Sequence, residues 1–225
     1  MTPIDILKEL RKDSPEIILF HSLAGKDSIV LLEMTSKIFD KVHCVFMHVI
    51  PNLEHMAKYK RFFKATYKNA IWYEVYHYVH YNYKKVGHLG CKKDLKGTEK
   101  PLSKIMKEAR QTIGLEWVVL GSKQSDGLSR RLQLRTYEHE AIDRKNFKCY
   151  PLSKWKNKDC HAFIKHNRLI EPLNYGDHRQ SASNDVIDPI FLHWCKTNYP
   201  QDYQKIKDVY PETEIILFRY ENQTK

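Results

Sequence analysis

The sequence predicts an α/β protein built on a doubly wound, mostly parallel sheet with a helical C-terminal tail. Three observations carry this. Short unbroken apolar runs alternate with segments of helical periodicity through the first 150 residues. The first such run, Ile17 to Phe20, is followed at once by small residues at Ala24 and Gly25. Beyond Pro151 strand-like runs give way to helical spacing punctuated by Pro172, Pro189, Pro200 and Pro211. Residues 1–150 are therefore expected to form the α/β core, and residues 151–225 a helical appendage of the same domain that folds over the sheet's edge.

The elements follow in order. Residues 17–20 have the continuous hydrophobicity of a parallel strand buried on both faces. A helix is expected from about Asp27, because Val30, Leu31, Met34 and Ile38 recur at helical spacing while Glu33 and Lys37 share another face. Residues 42–49 are β-branched and aromatic and suit a second strand, residues 54–68 a helix, and residues 71–78 a third strand. A polar stretch at 84–100 precedes a helix that Pro101 starts and Gly114 ends, and residues 117–120 form another buried strand. Helices are expected near 158–166, 186–197 and 201–209.

A chain of 225 residues, 42% hydrophobic, has enough apolar surface for a real core, which excludes a disordered chain. Lys and Arg number 38 against 27 Asp and Glu, and the net charge of +11 favours a polyanionic substrate or partner. Residues 1–10 contain Asp5 and Glu9 and no long apolar run, so neither a signal peptide nor a membrane span is expected and the protein is placed in the cytoplasm. The five cysteines, Cys44, Cys91, Cys149, Cys160 and Cys195, are scattered and form no C-x-x-C pair. That argues against a disulfide framework, a zinc ribbon and a clustered iron–sulfur site.

The segment from Phe20 to Ser28 lies between the first buried strand and the first long helix, where an open α/β sheet places its ligand. Ala24 and Gly25 let backbone N–H groups approach an anion, and the helix start adds its positive dipole end. Lys26 supplies a full charge, Ser22 and Ser28 supply hydroxyls, and Asp27 is placed to cap the helix or to hold Mg²⁺. The G-x-x-x-x-G-K-[ST] loop is excluded, since it would need glycine at Phe20 and a hydroxyl at Asp27.

This loop resembles the S-G-G-x-D-S signature of the pyrophosphate-loop superfamily, which includes the phosphoadenosine phosphosulfate reductases and ATP pyrophosphatases. Gly25, Lys26, Asp27 and Ser28 match it directly, whereas Leu23 and Ala24 stand at its Ser and first Gly. Further likenesses follow in the reductase family's order. Residues 118–131 resemble its strand-end motif, roughly G-x-R-x-x-E-S-x-x-R, with Gly121 matched, Lys123 for arginine, Asp126 for glutamate, and Arg130 or Arg131 at the final arginine. Residues 150–159 are similar to its P-[IL]-x-x-W-x-x-x-D segment through Pro151, Trp155 and Asp159, and residues 171–176 loosely to N-P-L-Y-x-x-G.

The resemblance implies an adenine nucleotide alpha-hydrolase-like fold and an enzyme that binds ATP, adenosine phosphosulfate or phosphoadenosine phosphosulfate, with Mg²⁺ if ATP is used. Lys26, Asp27 and Arg130 are its implied catalytic residues. Ser22, Ala24, Gly25, Lys26, Ser28, Gly121, Lys123, Arg130, Arg131 and Trp155 are its implied nucleotide contacts.

The family's E-C-G-[IL]-H motif does not occur in the sequence, which ends Arg219-Tyr220-Glu221-Asn222-Gln223-Thr224-Lys225. Cys195, the last cysteine and the fallback candidate for the nucleophile, lies between Trp194 and Lys196 in an expected helix and reads as a partly buried structural thiol. A sulfonucleotide reaction would then need an external thiol, so a thiol-donor protein is an expected partner. His77, His80, His88 and Cys91 have a zinc-like spacing. An offset of three in a strand, however, sends His77 and His80 to opposite faces. The tyrosines around them (Tyr76, Tyr78, Tyr81, Tyr83), interleaved with Lys84, Lys85, Lys92 and Lys93, give the alternative reading: a nucleic-acid-associated protein whose nucleotide site is degenerate or regulatory.

Overall fold

The computed structural model describes residues 1–175 and 186–223. Helix α1 (Pro3–Asp13) leads into β1 (Glu16–His21), followed by α2 (Lys26–Ser36), β2 (Lys41–His48), α3 (Glu54–Thr66) and β3 (Ala70–Tyr76). Next come α4 (Tyr78–Val86), α5 (Leu102–Ile113), β4 (Val118–Val119), α6 (Leu128–Arg135), β5 (Ile142–Asp143) and β6 (Lys148–Cys149). Helices α7 (Asn157–His166), α8 (Pro189–Asn198), α9 (Pro200–Val209) and α10 (Thr213–Gln223) complete the described chain.

The six strands lie in the order β3-β2-β1-β4-β6-β5, parallel throughout except for the β5–β6 pair. The chain moves outward from β1 to β3 and then returns through α5 to β4 on the other side of β1. The order reverses beside β1, and a ligand crevice opens at the carboxyl end of such a strand. Alternation along β1 divides the core, because Ile17 and Leu19 face the cluster with α1, α2 and α3 while Ile18 and Phe20 face the one with α5. Helices thus cover both faces, as the doubly wound expectation requires.

The tail joins the first of these clusters through Ile164, Phe191, Leu192, Ile206 and Tyr210. A buried carboxylate fastens it. Asp202 of α9 accepts the N–H groups of Glu54 and His55 at 2.7 and 3.0 Å and the His55 Nδ1 at 2.8 Å, so it caps α3 from a distant part of the chain.

Several boundaries differ from the sequence expectation. The third strand stops at Tyr76, because His77 caps a new helix by accepting the Val79 N–H on Nδ1, so Tyr78 and His80 are helical. The stretch expected to be polar and irregular from Lys84 therefore begins inside α4. The helix expected from Val186 starts at Pro189, where Asp188 caps it and proline needs no N–H partner. Helices α1 and α10 and the two-residue strands β5 and β6 are additions. Among the described residues no helix is long and apolar enough to cross a membrane.

Candidate functional site

Gly25 ends the turn after β1 and sits at the N-cap of α2, where no side chain caps the helix. The turn is closed from within. The Ala24 N–H donates to Ser22 C=O at 2.8 Å, the Leu23 N–H to His21 Nδ1 at 2.8 Å, and the Ser22 N–H to Ser28 Oγ at 2.9 Å. The two serine hydroxyls lie 2.9 Å apart. After these bonds the N–H groups of Gly25, Lys26, Asp27 and Ser28 have no acceptor among the described residues. Four successive free donors at a helix start form a positively polarised concavity. The open run thus begins one residue later than Ala24, whose own amide closes the turn.

Leu23 is fully buried with φ 56°, a left-handed conformation that costs a leucine on the order of 1 kcal/mol. Its N–H fixes the tautomer of His21, since an accepting Nδ1 leaves the proton on Nε2. Among the described residues that proton has no hydrogen-bond acceptor, and the ring stands edge-on to Phe63 and Trp72 at 5.2 and 5.3 Å. Burial pushes the His21 pKa down to about 3.

Asp27, in the first turn of α2, is held from three directions. Lys123 Nζ approaches Oδ2 at 2.7 Å, Lys26 Nζ is 3.5 Å from the same oxygen, and Cys160 Sγ donates to Oδ1 at 3.1 Å. Lys123 is 1% exposed and also pairs with Asp126 at 3.2 Å. Burial acts to lower the Lys123 pKa, but the hydrogen bond and charge of Asp27, with those of Asp126, outweigh it and raise the value. Burial, reinforced by the Asp27 charge, raises the Cys160 thiol pKa.

Gly121, just past β4, permits this meeting. A Cβ there would lie 3.2 Å from Asp27 Cβ and 3.6 Å from Leu31 Cδ1. The segment after β6 then runs beside the end of β4, with the Gln124 N–H on Ser153 C=O at 2.8 Å and Ser125 Oγ on Trp155 C=O at 3.0 Å. This pairing delivers α7, and with it Cys160, to α2. The Leu173 N–H donates to Ala24 C=O at 3.1 Å, so residues 171–175 brace the turn.

The three sequence-matched segments therefore converge on the loop. Ser22, Ala24, Gly25, Lys26, Asp27, Ser28, Gly121 and Lys123 come together. Arg130 and Arg131 lie on α6, where Arg130 bonds Gln133 Oε1 at 2.9 Å and Arg131 is exposed. Trp155 is half-buried against Phe163, their ring centroids 5.8 Å apart. Gly176, at the end of the last matched segment, lies outside the described residues. His77 caps α4, His80 bonds the Tyr210 hydroxyl at 3.1 Å, and Cys91 Sγ donates to Tyr83 C=O. Sequence reasoning missed Cys160 and Leu173. The signal for Cys160 was its place directly after Asp159 of the Trp-x-x-x-Asp segment, and for Leu173 its place in the Pro-Leu pair.

A central parallel strand that hands over to an uncapped helix at a reversal of strand order is the ligand-crevice arrangement of a doubly wound α/β protein. The sequence model of the phosphoadenosine phosphosulfate reductase domain matches residues 17–175, and the chain belongs to that family. The fold is shared with phosphoadenylyl-sulfate reductase from Candida auris, solved as a phosphate complex (17% identity, TM-score 0.52, covering 82% of this chain and 90% of that one). The U34-tRNA thiolase NcsA from Methanococcus maripaludis, solved with a [4Fe-4S] cluster, matches at 13% identity and TM-score 0.49, over 94% of this chain and 78% of that one. The NH3-dependent NAD synthetase from Campylobacter jejuni matches at 13% identity and TM-score 0.45, over 95% and 92%. No curated protein matches the sequence.

Proposed function

We propose that the chain is an adenine-nucleotide-dependent enzyme that binds ATP or a sulfonucleotide at residues 22–28 and transfers an adenylyl or a sulfur-containing group. The observation that carries this reading is the run of free N–H groups from Gly25 to Ser28, at the start of α2 and beside Lys26. These groups hold the anionic end of the nucleotide and keep their orientation as charge grows on it, so they need no reorganisation during reaction. Lys26 lies on the same turn. Arg130, released from Gln133, supplies a second mobile cation, and the exposed Arg131 lies next to it.

Magnesium does not fit Asp27 as it stands. Its Oδ2 carries the buried Lys123 ammonium and its Oδ1 the Cys160 thiol, so a divalent ion would have to displace one of them. Asp27 and Lys123 are better read as positioning residues that lock the loop to the end of β4. All five cysteines are buried and burial raises their pKa values, which favours an external thiol as the reductant or acceptor in any sulfonucleotide reaction.

Thermal unfolding with ATP, adenosine phosphosulfate and phosphoadenosine phosphosulfate, each with and without Mg²⁺, tests the reading. A true ligand at a hundred times its Kd stabilises by about 2.7 kcal/mol. At least one nucleotide is expected to raise Tm, and Lys26→Ala is expected to remove the shift. No response to any of the three, repeated by calorimetry, would discard the proposal.

A further inference from the structure

On the face of the sheet that α5 covers, a groove of about 330 Å³ lies between β3, α4 and α5. Tyr73 and Val75 of β3, Tyr81 of α4, and Glu108, Thr112 and Ile113 of α5 contribute to its lining. No residue of the loop at 22–28 reaches it, so what it binds is independent of the nucleotide reading above.

Its walls combine aromatic faces with paired polar groups. Tyr73 is oriented by its hydroxyl contact with His43 Nδ1 at 3.2 Å, and Tyr76, 37% exposed, stands edge-on to Tyr81 at 6.3 Å. The Tyr81 ring already attracts a cation, because Lys100 Nζ lies 5.0 Å from its centroid while donating to Glu108 Oε2 at 3.0 Å. The Val42 N–H donates to Asn69 C=O and the His77 N–H to His48 C=O, so odd-numbered residues of β3 bond inward to β2. The N–H and C=O of Glu74, also in the lining, therefore point outward, and no described residue bonds them. A free donor and a free acceptor side by side match the hydrogen-bonding edge of an unpaired nucleobase.

The surroundings are basic. Residues 84–110 hold nine Lys and Arg against Asp94, Glu99 and Glu108. Those acids are already engaged: Glu99 with Lys85 at 2.8 Å, Glu108 with Lys100, and Asp94 Oδ1 with the Lys96 N–H at 3.1 Å. Lys84, Lys92, Lys93, Lys96, Lys104 and Lys107 have no acidic partner among the described residues. Lys84 and Lys85 follow Tyr81 by three and four positions and so stand on its side of α4, and Lys104 stands beside Glu108 on α5 by the same spacing.

We propose that this groove binds single-stranded nucleic acid, with one base lying against Tyr73 and Tyr81 and bonded at its edge by the Glu74 backbone. The flanking phosphates pass Lys84 and Lys104. Stacking on aromatic rings beside a positive track is how unpaired strands are held without base-specific readout. A duplex keeps its bases stacked on one another and offers the groove none.

The test is fluorescence anisotropy with the full chain, using fluorescein-labelled oligothymidylate of about twenty nucleotides and an abasic strand of equal length, with far-ultraviolet circular dichroism as the control for folding. The oligothymidylate is expected to bind at least about tenfold more tightly than the abasic strand, and Tyr81→Ala to remove about tenfold of its affinity. Thr112→Glu, a second change in the lining, should weaken it likewise without removing an aromatic ring. Lys84→Ala combined with Lys104→Ala should make the slope of log affinity against log salt shallower by about 1.4. A 4-thiothymidine strand should photo-crosslink within residues 73–81. Equal binding of the two strands, folded Tyr81→Ala and Thr112→Glu proteins that bind like the wild type, an unchanged salt slope in the double lysine variant, or crosslinks confined to residues 22–28 would each overturn the proposal.

Discussion

Lys123 Nζ lies 2.7 Å from Asp27 Oδ2, and this contact joins the end of β4 to the first turn of α2 with an ammonium almost sealed from water. Removing one partner of such a pair leaves the other charged and poorly solvated. Lys123→Met is therefore expected to destabilise the protein by about 3 kcal/mol, the lower end for a buried pair because Asp27 is partly exposed. Asp27→Asn combined with Lys123→Met should cost less than the sum of the two single changes. Urea unfolding of the four proteins measures the coupling.

Gly121 makes that pair possible by letting the strand end lie against α2. Gly121→Ala would place a methyl group 3.2 Å from Asp27 Cβ, an atom bonded directly to the α2 backbone. The expected effect is a loss of about 1–2 kcal/mol in stability, as for overpacking elsewhere. Nucleotide binding should weaken in parallel, because α2 must move. A Gly121→Ala protein with wild-type Tm and wild-type nucleotide response would refute the account.

His21 sets a pH dependence. Burial pushes its folded pKa down to about 3 from an ordinary value of 6.5, so between these values the unfolded chain binds a proton that the folded chain does not. Stability from this group is full above pH 6.5 and falls as pH drops towards 3, by about 1.4 kcal/mol per pH unit inside the window. His21→Asn keeps an acceptor near the Leu23 N–H and removes the titration. The slope of unfolding free energy against pH between 4 and 6 should then flatten by about one proton.

The thiols give a fourth check. All five are buried and none is paired in a disulfide. Ellman's reagent at neutral pH is expected to find essentially none of them in the native protein and all five after unfolding. Rapid titration of Cys160 in the folded protein would contradict the hydrogen bond that its thiol donates to Asp27.

The sequence displayed those parts of the fold that rest on local pattern. The apolar run at 17–20, the helical spacing after Asp27 and the Pro101–Gly114 bracket each specify an element through short-range sterics and burial, and the structure places β1, α2 and α5 there. β5 and β6 left no such trace, because two-residue strands exist only through the neighbours that pair with them. The helix at Tyr78 was hidden because Tyr76 and Tyr78 favour strands, and the decisive residue is the His77 cap. In the site, the order of motifs indicated which segments converge. It did not show that Lys123 turns inward to Asp27, since a strand-end lysine reads equally well as an anion ligand. Nor did it mark Cys160 or Leu173, whose roles depend on where α7 and residues 171–175 are carried by the chain.

The hydrogen bond from the Leu173 N–H to Ala24 C=O has a consequence for biosynthesis. The turn after β1 stays unbraced until a segment translated about 150 residues later has emerged. A nascent chain arrested before residue 173 would hold all six strands and still lack the bond that holds this turn from outside.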